Sequence, residues 1–350
     1  MFKQVTGSGR GQSIMRGLMA LAVSAIGYQA AAAADEATIE AAKKEGSVVI
    51  YSASPSELLD ELTKAFNERY PGIQAEYYRA GSSQVYERLI AEQDANRVNG
   101  DIIHVSDVAT ITDLKDQKRL EAYQSPEYQA YDSKYVDKDF TWFVARAHFL
   151  NIAYNPAFVS DAEAPKTLKD LADPKYKGKV GIMDVRLSGG AYTWQYAIWK
   201  LYGPDFFAQM AKNEPKLYPG HGPINDRIIT GELTTGVDLN YMTDEAILDK
   251  GAPIKALYPQ DGAPMIWSPV GIVAKAPHPN AAKVMMDFLA SKEGQAIFNS
   301  QYSYSLRPDV PTREGMTPLT EIKVLDTPLD DMIAQQNAIQ AAIRKAWGFQ

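Results

Sequence analysis

What most narrows the choice of fold is an order that recurs along the chain. A short, continuously apolar and β-branched run comes first, then a few small hydroxylated residues, then apolar residues at helical spacing. Val48-Val49-Ile50-Tyr51 is followed by Ser52, Ala53, Ser54 and Pro55, and then by Leu58, Leu59, Leu62 and Phe66. A run without polar alternation reads as a strand buried on both faces, and the spacing after it as a helix lying against that strand. The order returns where residues 73–78 lead through Arg79, Gly81, Ser82 and Ser83 to a helix carrying Tyr86, Leu89 and Ile90. It returns again where residues 102–105 deliver Ser106 and Asp107. Strands joined through helices form a mostly parallel sheet, and such α/β sheets take ligands beyond the carboxyl ends of their strands. Each serine alone is a helix cap or a turn former. Ser52, Ser54, Ser82, Ser83 and Ser106, all at equivalent strand ends, together predict the polar rim of one pocket, to which Asp107 adds an acceptor.

With 350 residues the chain exceeds the roughly 250–300 that one core supports, so two lobes are expected. Residues 142–154 are extended in pattern and meet Asn155-Pro156, which suits a strand leaving the first lobe for the second. Residues 180–185 form an apolar run before Leu-Ser-Gly-Gly-Ala-Tyr-Thr-Trp at 187–194. A strand, small residues and then a helix leave backbone N–H groups free at the helix start. Ser188, Gly189, Gly190 and Ala191 therefore offer a cradle for an anion, the alternative being an ordinary capped helix start. Helices are predicted from about 225 to 230 and from 244 to 248. Between them the strand 235–241 presents Asn240 and Tyr241 at its end. Residues 266–274 read as a return crossing, followed by helices over 279–288, 292–298 and 329–346. No internal repeat is found.

The first 34 residues carry the marks of an export signal. Lys3, Arg10 and Arg16 precede an apolar stretch at 18–26 and the alanines of 30–34, and the apolar part is too short to span a bilayer. The chain has no cysteine, which excludes disulfides, thiolate metal sites, a cysteine nucleophile and lipid attachment through an N-terminal cysteine. A formal net charge of −7, more negative once the basic signal is removed, argues against nucleic acid and anionic membranes as partners. A soluble, periplasmic protein without a membrane anchor is expected.

Several stretches carry a resemblance: Val48-Val49-Ile50-Tyr51-Ser52, Tyr78-Arg79-Ala80-Gly81-Ser82-Ser83, Tyr176-Lys177-Gly178-Lys179-Val180-Gly181, Ser188-Gly189-Gly190-Ala191 and Asp287-Phe288-Leu289-Ala290-Ser291-Lys292-Glu293-Gly294. On these the chain resembles the periplasmic solute-binding proteins of ABC importers, in the cluster that includes the ferric-ion binders. The resemblance implies the type II periplasmic-binding-protein fold, with two α/β lobes joined by two crossing hinge strands that close over a ligand. The corresponding division is residues 35–147 for the first lobe, 148–268 for the second, 269–320 for the return, and 321–350 for a C-terminal helix packing on the second lobe. It also implies an inner-membrane ABC permease as partner, a monomer, and no cofactor.

In that cluster the iron ligands are two adjacent tyrosines, a histidine and a glutamate. Here they fall on Tyr241 and Met242, on Pro55, and near Gln84. Ferric iron wants anionic oxygen, which a thioether, ring carbon and amide do not supply; no metal is expected. The family's anion contacts remain: Ser188-Gly189-Gly190-Ala191, and His221 where the family has an asparagine. Arg146 and His148 stand on the first crossing strand, where the family usually carries arginine. His104 and His278 read as structural. The expected ligand is a small organic anion bearing a phosphate, phosphonate or carboxylate. Tyr192, Trp194, Tyr241 and Trp267 are candidate apolar walls, and Asp107, Asp238 and Asn240 candidate acceptors for hydroxyl or amino groups of the body. Two alternatives stay open: a ferric-ion carrier, and an exported hydrolase, for which neither Gly-x-Ser-x-Gly nor His-Glu-x-x-His is present.

Overall fold

Each strand-to-helix unit legible in the sequence builds one step of a sheet. The computed structural model describes residues 35–106, 108–187 and 190–349; the export-signal region, Asp107, Ser188 and Gly189 lie outside the described residues. Asp35 caps α1 (Glu36–Glu45) by accepting from the Thr38 N–H at 2.7 Å, and Gly46, at φ 82°, ends it in the left-handed conformation. Then follow β1 (Ser47–Ser52), α2 (Ser56–Arg69), β2 (Gln74–Arg79), α3 (Ser82–Asp94), β3 (Ile102–His104), α4 (Val108–Asp116) and β4 (Leu120–Glu121). β1 lies between β2 and β3, parallel to both.

The chain crosses to a second lobe on β5 (Phe143–Tyr154). There it forms β6 (Val180–Met183), α5 (Gly190–Tyr202), α6 (Asp205–Lys212), β7 (Lys216–Tyr218), α7 (His221–Thr230), β8 (Thr235–Leu239), α8 (Asn240–Leu248) and β9 (Lys255–Leu257). β10 (Ala263–Val273) brings it back to α9 (Pro279–Ala290) and α10 (Lys292–Ser300). Last come β11 (Val324–Leu325) and α11 (Leu329–Trp347).

β5 and β10 are antiparallel partners and belong to both lobes. The first half of β5 pairs with β10, and its second half with β8 and β9. β10 pairs with β3 and β4 at its far end. The hydrophobic core changes over between Phe149, packed with the first lobe, and Leu150, packed with the second. α11 lies against α5 and α6, and Ile339 and Ile343 are buried in the second lobe's core. No described helix is long and apolar enough to cross a membrane.

Two boundaries differ from the sequence reading, both beside the cleft. The strand expected to reach Tyr241 stops at Leu239, and Asn240 opens a helix. The buried Asn240 amide bonds across to the Phe149 N–H, so the chain turns there instead of continuing the ladder. The helix expected from about 225 starts at His221, with Pro223 in its first turn, where a missing N–H is harmless. A pair of glycines sets α7 close to the sheet. Gly181 and Gly236 face each other on β6 and β8. A Cβ on Gly236 would stand 2.7 Å from the Gly181 carbonyl oxygen and 2.9 Å from Ile224 Cγ2 of α7. Glycine at both places lets the helix that begins with His221 rest on the strands.

Candidate functional site

Between the lobes lies a cavity of about 410 Å³. Ala53, Pro55, Arg79 and Ser106 line it from the first lobe, and Met183, His221, Leu239 and Tyr241 from the second. Arg146 and His148 of β5, with Ile266 and Ser268 of β10, form its floor. Arg146 and His148 share one face of β5 because side chains two apart along a strand point the same way.

Arg146 is the unusual group. It is 5% exposed, yet among the described residues its guanidinium donates only to hydroxyls: to Ser54 Oγ at 3.1 Å and to Ser303 Oγ at 3.3 Å. Among the described residues its Nε has no partner and no carboxylate pairs with it. Burying a charge without a counter-charge is costly, and here desolvation pulls the guanidinium pKa down to about 10. A second guanidinium arrives from the end of β2, where Arg79 Nε donates to the Ser54 carbonyl at 3.3 Å. Ser54 thus sits under two arginines. Arg79 was not singled out from the sequence, although it ends a strand at the same edge as the serines.

Three histidines surround this centre. His104 ends β3, with Nδ1 3.2 Å from Ser54 Oγ and 3.4 Å from Ser52 Oγ; its Nε2 is unpartnered. It therefore stands behind the arginine, sharing Ser54 with it, rather than acting as core filling alone. His148 Nε2 is 3.5 Å from Ser303 Oγ, its Nδ1 is unpartnered, and its ring lies 5.2 Å from that of Tyr241. Burial, reinforced by the positive charge of Arg146, holds both imidazoles well below the ordinary histidine range, so both are neutral near pH 7. His221 Nδ1 lies 3.4 Å from the Asp238 carboxylate, and neither ring nitrogen completes a hydrogen bond. His278 is structural, held between Asp101 at 2.9 Å and Ser47 at 3.1 Å.

Asp238 and Asn240, expected to accept from a solute, are both wholly buried. Asp238 accepts from Asn225 Nδ2 and the Leu239 N–H, backing His221. Asn240 accepts from the Phe149 N–H and donates to Asp244 and the Tyr302 carbonyl. Their polar atoms are engaged inside the protein, and only Tyr241 of this stretch lines the cavity. Ser52 is buried beneath the floor, its Oγ accepting from the Ser54 N–H. Ser82 Oγ accepts from the Ser106 N–H at 3.2 Å and so fixes the turn that presents Ser106. Trp194 is core. Gly190 opens α5 and Ala191 is buried beside it; Ser188, Gly189 and Asp107 are among the positions not described.

Ser83, Tyr192 and Trp267 line a different, neighbouring cavity of about 270 Å³ between α4, α5, β10 and α11. Ser106 and Ile266 border both spaces. Among the described residues, no group of three or more His, Cys, Asp or Glu side chains is arranged to hold a metal ion.

The sequence profile of the bacterial extracellular solute-binding proteins matches residues 47–302. An Fe(3+)-binding periplasmic protein of Serratia marcescens is 25% identical over 310 residues, which span 85% of this chain and 89% of that one. Iron-bound HitA from Pseudomonas aeruginosa has the same fold, with a TM-score of 0.76 at 20% identity over 86% of this chain and 99% of its own. AfuA from Actinobacillus pleuropneumoniae, with fructose-6-phosphate bound, gives 0.74 at 22% identity over 87% and 99%. The profile covers well over half of the chain, and the likenesses run through both lobes and both crossing strands. The protein belongs to the bacterial extracellular solute-binding family and has the two-lobed type II periplasmic-binding-protein fold.

Proposed function

We propose that this protein captures a small organic anion in the periplasm, closes its lobes over it, and delivers it to the permease of an ABC importer. The observation that carries this reading is Arg146: a buried guanidinium in the cleft floor, with an unpartnered Nε and no acid beside it among the described residues. A phosphate, phosphonate or carboxylate supplies the missing charge and acceptors, in the charge-assisted geometry arginine favours. Arg79, His221 and Ser106 line the same space. The stretch Ser188-Gly189-Gly190-Ala191, taken from the sequence as an anion cradle, is the second hold in this reading. Fructose-6-phosphate in AfuA is an anion of the proposed class. The ferric reading, which the names of the Serratia and Pseudomonas proteins bring forward, is disfavoured by Met242, Pro55 and Gln84 at the ligand positions.

A thermal-shift screen tests it. Members of the phosphorylated, phosphonate and carboxylate classes are compared with ferric citrate, and a ligand at a hundredfold over its dissociation constant adds about 2.7 kcal/mol of apparent stability. The expected result is a shift with an organic anion, which calorimetry then recovers unhydrolysed. Tyrosinate colour and a shift with ferric citrate alone would replace this reading with iron carriage.

Binding is also expected to strengthen on acidification. Among the described residues the groups facing His148 are Arg146, His104, Tyr241, Ser303 and Asn240, none of them an acid, and burial together with the charge of Arg146 keeps the ring neutral. An anion raises its pKa, so binding takes up a proton once pH falls toward the bound-state value. The sign for folding is opposite. A histidine with depressed native pKa takes stability from the empty protein as pH falls below about 6.5, the unfolded value, and the complex is spared part of that loss. Calorimetry between about pH 7.5 and 5.5, in buffers of different ionisation enthalpy, should show proton uptake and rising affinity; proton release on binding would contradict it.

A further inference from the structure

The 270 Å³ cavity beside the anion-binding floor is not used by anything described so far, and its chemistry differs from that of its neighbour. Met265, Ile266 and Trp267 of β10 form one wall, α4 and Tyr192 of α5 flank it, and Met332 and Ile333 of α11 form the roof. No charged side chain lines it among the described residues. Trp267 contributes to the wall, with its ring packed edge-on against Tyr135 at 5.6 Å. Ile333 is 45% exposed at the rim, a large apolar side chain left half in water.

The roof is firmly attached to the second lobe. Tyr192 donates to the Met332 carbonyl, Tyr196 to the Asp331 carboxylate, and Gln340 to Gln195 at 2.7 Å. α4, on the other side, belongs to the first lobe. Anything held in the cavity therefore touches both lobes. Ser106 and Ile266 border this space and the arginine-floored one alike, so the two adjoin.

We propose that this cavity receives the body of the solute, and that the body is a flat, uncharged ring, aromatic or heteroaromatic, packed against Trp267 and Tyr192. The proposal rests on the organic-anion reading and narrows it to aryl phosphates, phosphonates or carboxylates. The lining is mostly apolar and aromatic, with hydroxyls and an amide from Ser83, Ser106, Thr110, Thr193, Thr327 and Gln336 and no charged group among the described residues, which suits a ring bearing a few polar substituents. The indole and phenol rings supply the stacking and edge contacts that a flat ring prefers.

The experiment is calorimetry on the signal-free protein with ring-bearing and bare members of two headgroup pairs: 4-nitrophenyl phosphate against inorganic phosphate, and 4-nitrobenzoate against acetate. The ring-bearing member of at least one pair should bind about tenfold tighter or better than its bare counterpart. In Trp267→Ala that ratio should collapse to within a factor of about two. Ile333→Trp changes an exposed side chain, so folding is not at stake; it crowds the cavity from the rim and should lower the same ratio. Equal affinity of ring-bearing and bare probes, or a ratio unmoved in both variants, overturns the cavity assignment while leaving the anion reading in place. Binding of none of the four probes overturns both.

Discussion

Replacing Arg146 with methionine should abolish capture of the anion while leaving the empty protein at least as stable as before. The two halves of this expectation have one cause. Without ligand, Arg146 is a buried charge that meets only the hydroxyls of Ser54 and Ser303, and its depressed pKa reflects the desolvation it suffers. Methionine keeps most of the apolar stem and removes the charge, a change that is neutral or stabilising when the charge lacks a partner. With ligand the arginine completes a buried ion pair, and truncating one member of such a pair costs about 2–5 kcal/mol, or roughly thirty- to several-thousandfold in affinity. Calorimetry and the melting temperature of the empty variant check both halves. Undiminished affinity would remove the anion from the cleft floor. A large fall in the empty protein's melting temperature would instead make Arg146 a structural tie between the crossing strand and its neighbours.

Asn240→Leu should do the reverse, unfolding the protein readily whether or not solute is present. Leucine is close in size, so the loss is of hydrogen bonds rather than volume. The Phe149 N–H, the Tyr302 carbonyl and the Asp244 carboxylate all lose their partner, and each buried group left unpaired costs about 1–3 kcal/mol. Asp244, whose carboxyl is already pushed up to about 6 by burial, loses a stabilising donor. A loss of about 3–5 kcal/mol in urea unfolding is expected. The variant that still folds should bind with nearly normal affinity, because the amide meets no solute. A selective loss of binding with unaltered stability would return Asn240 to the ligand contacts that sequence alone suggested for it.

These two residues mark where the sequence stops being sufficient. Both were picked out as solute contacts, and both stand beside the cleft, but only one faces it. Arg146 and His148 are separated by one residue on a strand, so their common face follows from backbone geometry. The sequence places Asp238 within a strand over 235–241 that presents Asn240 and Tyr241 at its end, and offers Asp238 and Asn240 as acceptors for the solute. In the folded protein the strand ends at Leu239, and both side chains turn to partners on β5 and α7. Arg79 ends a strand, where an arginine is ordinarily solvated, and it is the contact with the Ser54 carbonyl that places it at the cleft.

By itself the sequence determined whatever depends on near neighbours in the chain. The apolar runs became strands, the helical spacings became helices, Gly46 and Gly231 ended theirs with positive φ, and length alone called for two lobes. Tertiary structure decided which charges go unanswered and which polar groups are already engaged. Ser54, Arg146 and Ser303 meet from three distant stretches of chain, and Trp267 shares its cavity with the C-terminal helix. Whether a buried donor has a partner depends on every group that folding brings within a few ångströms. That is a property of packing, and no window of sequence contains it.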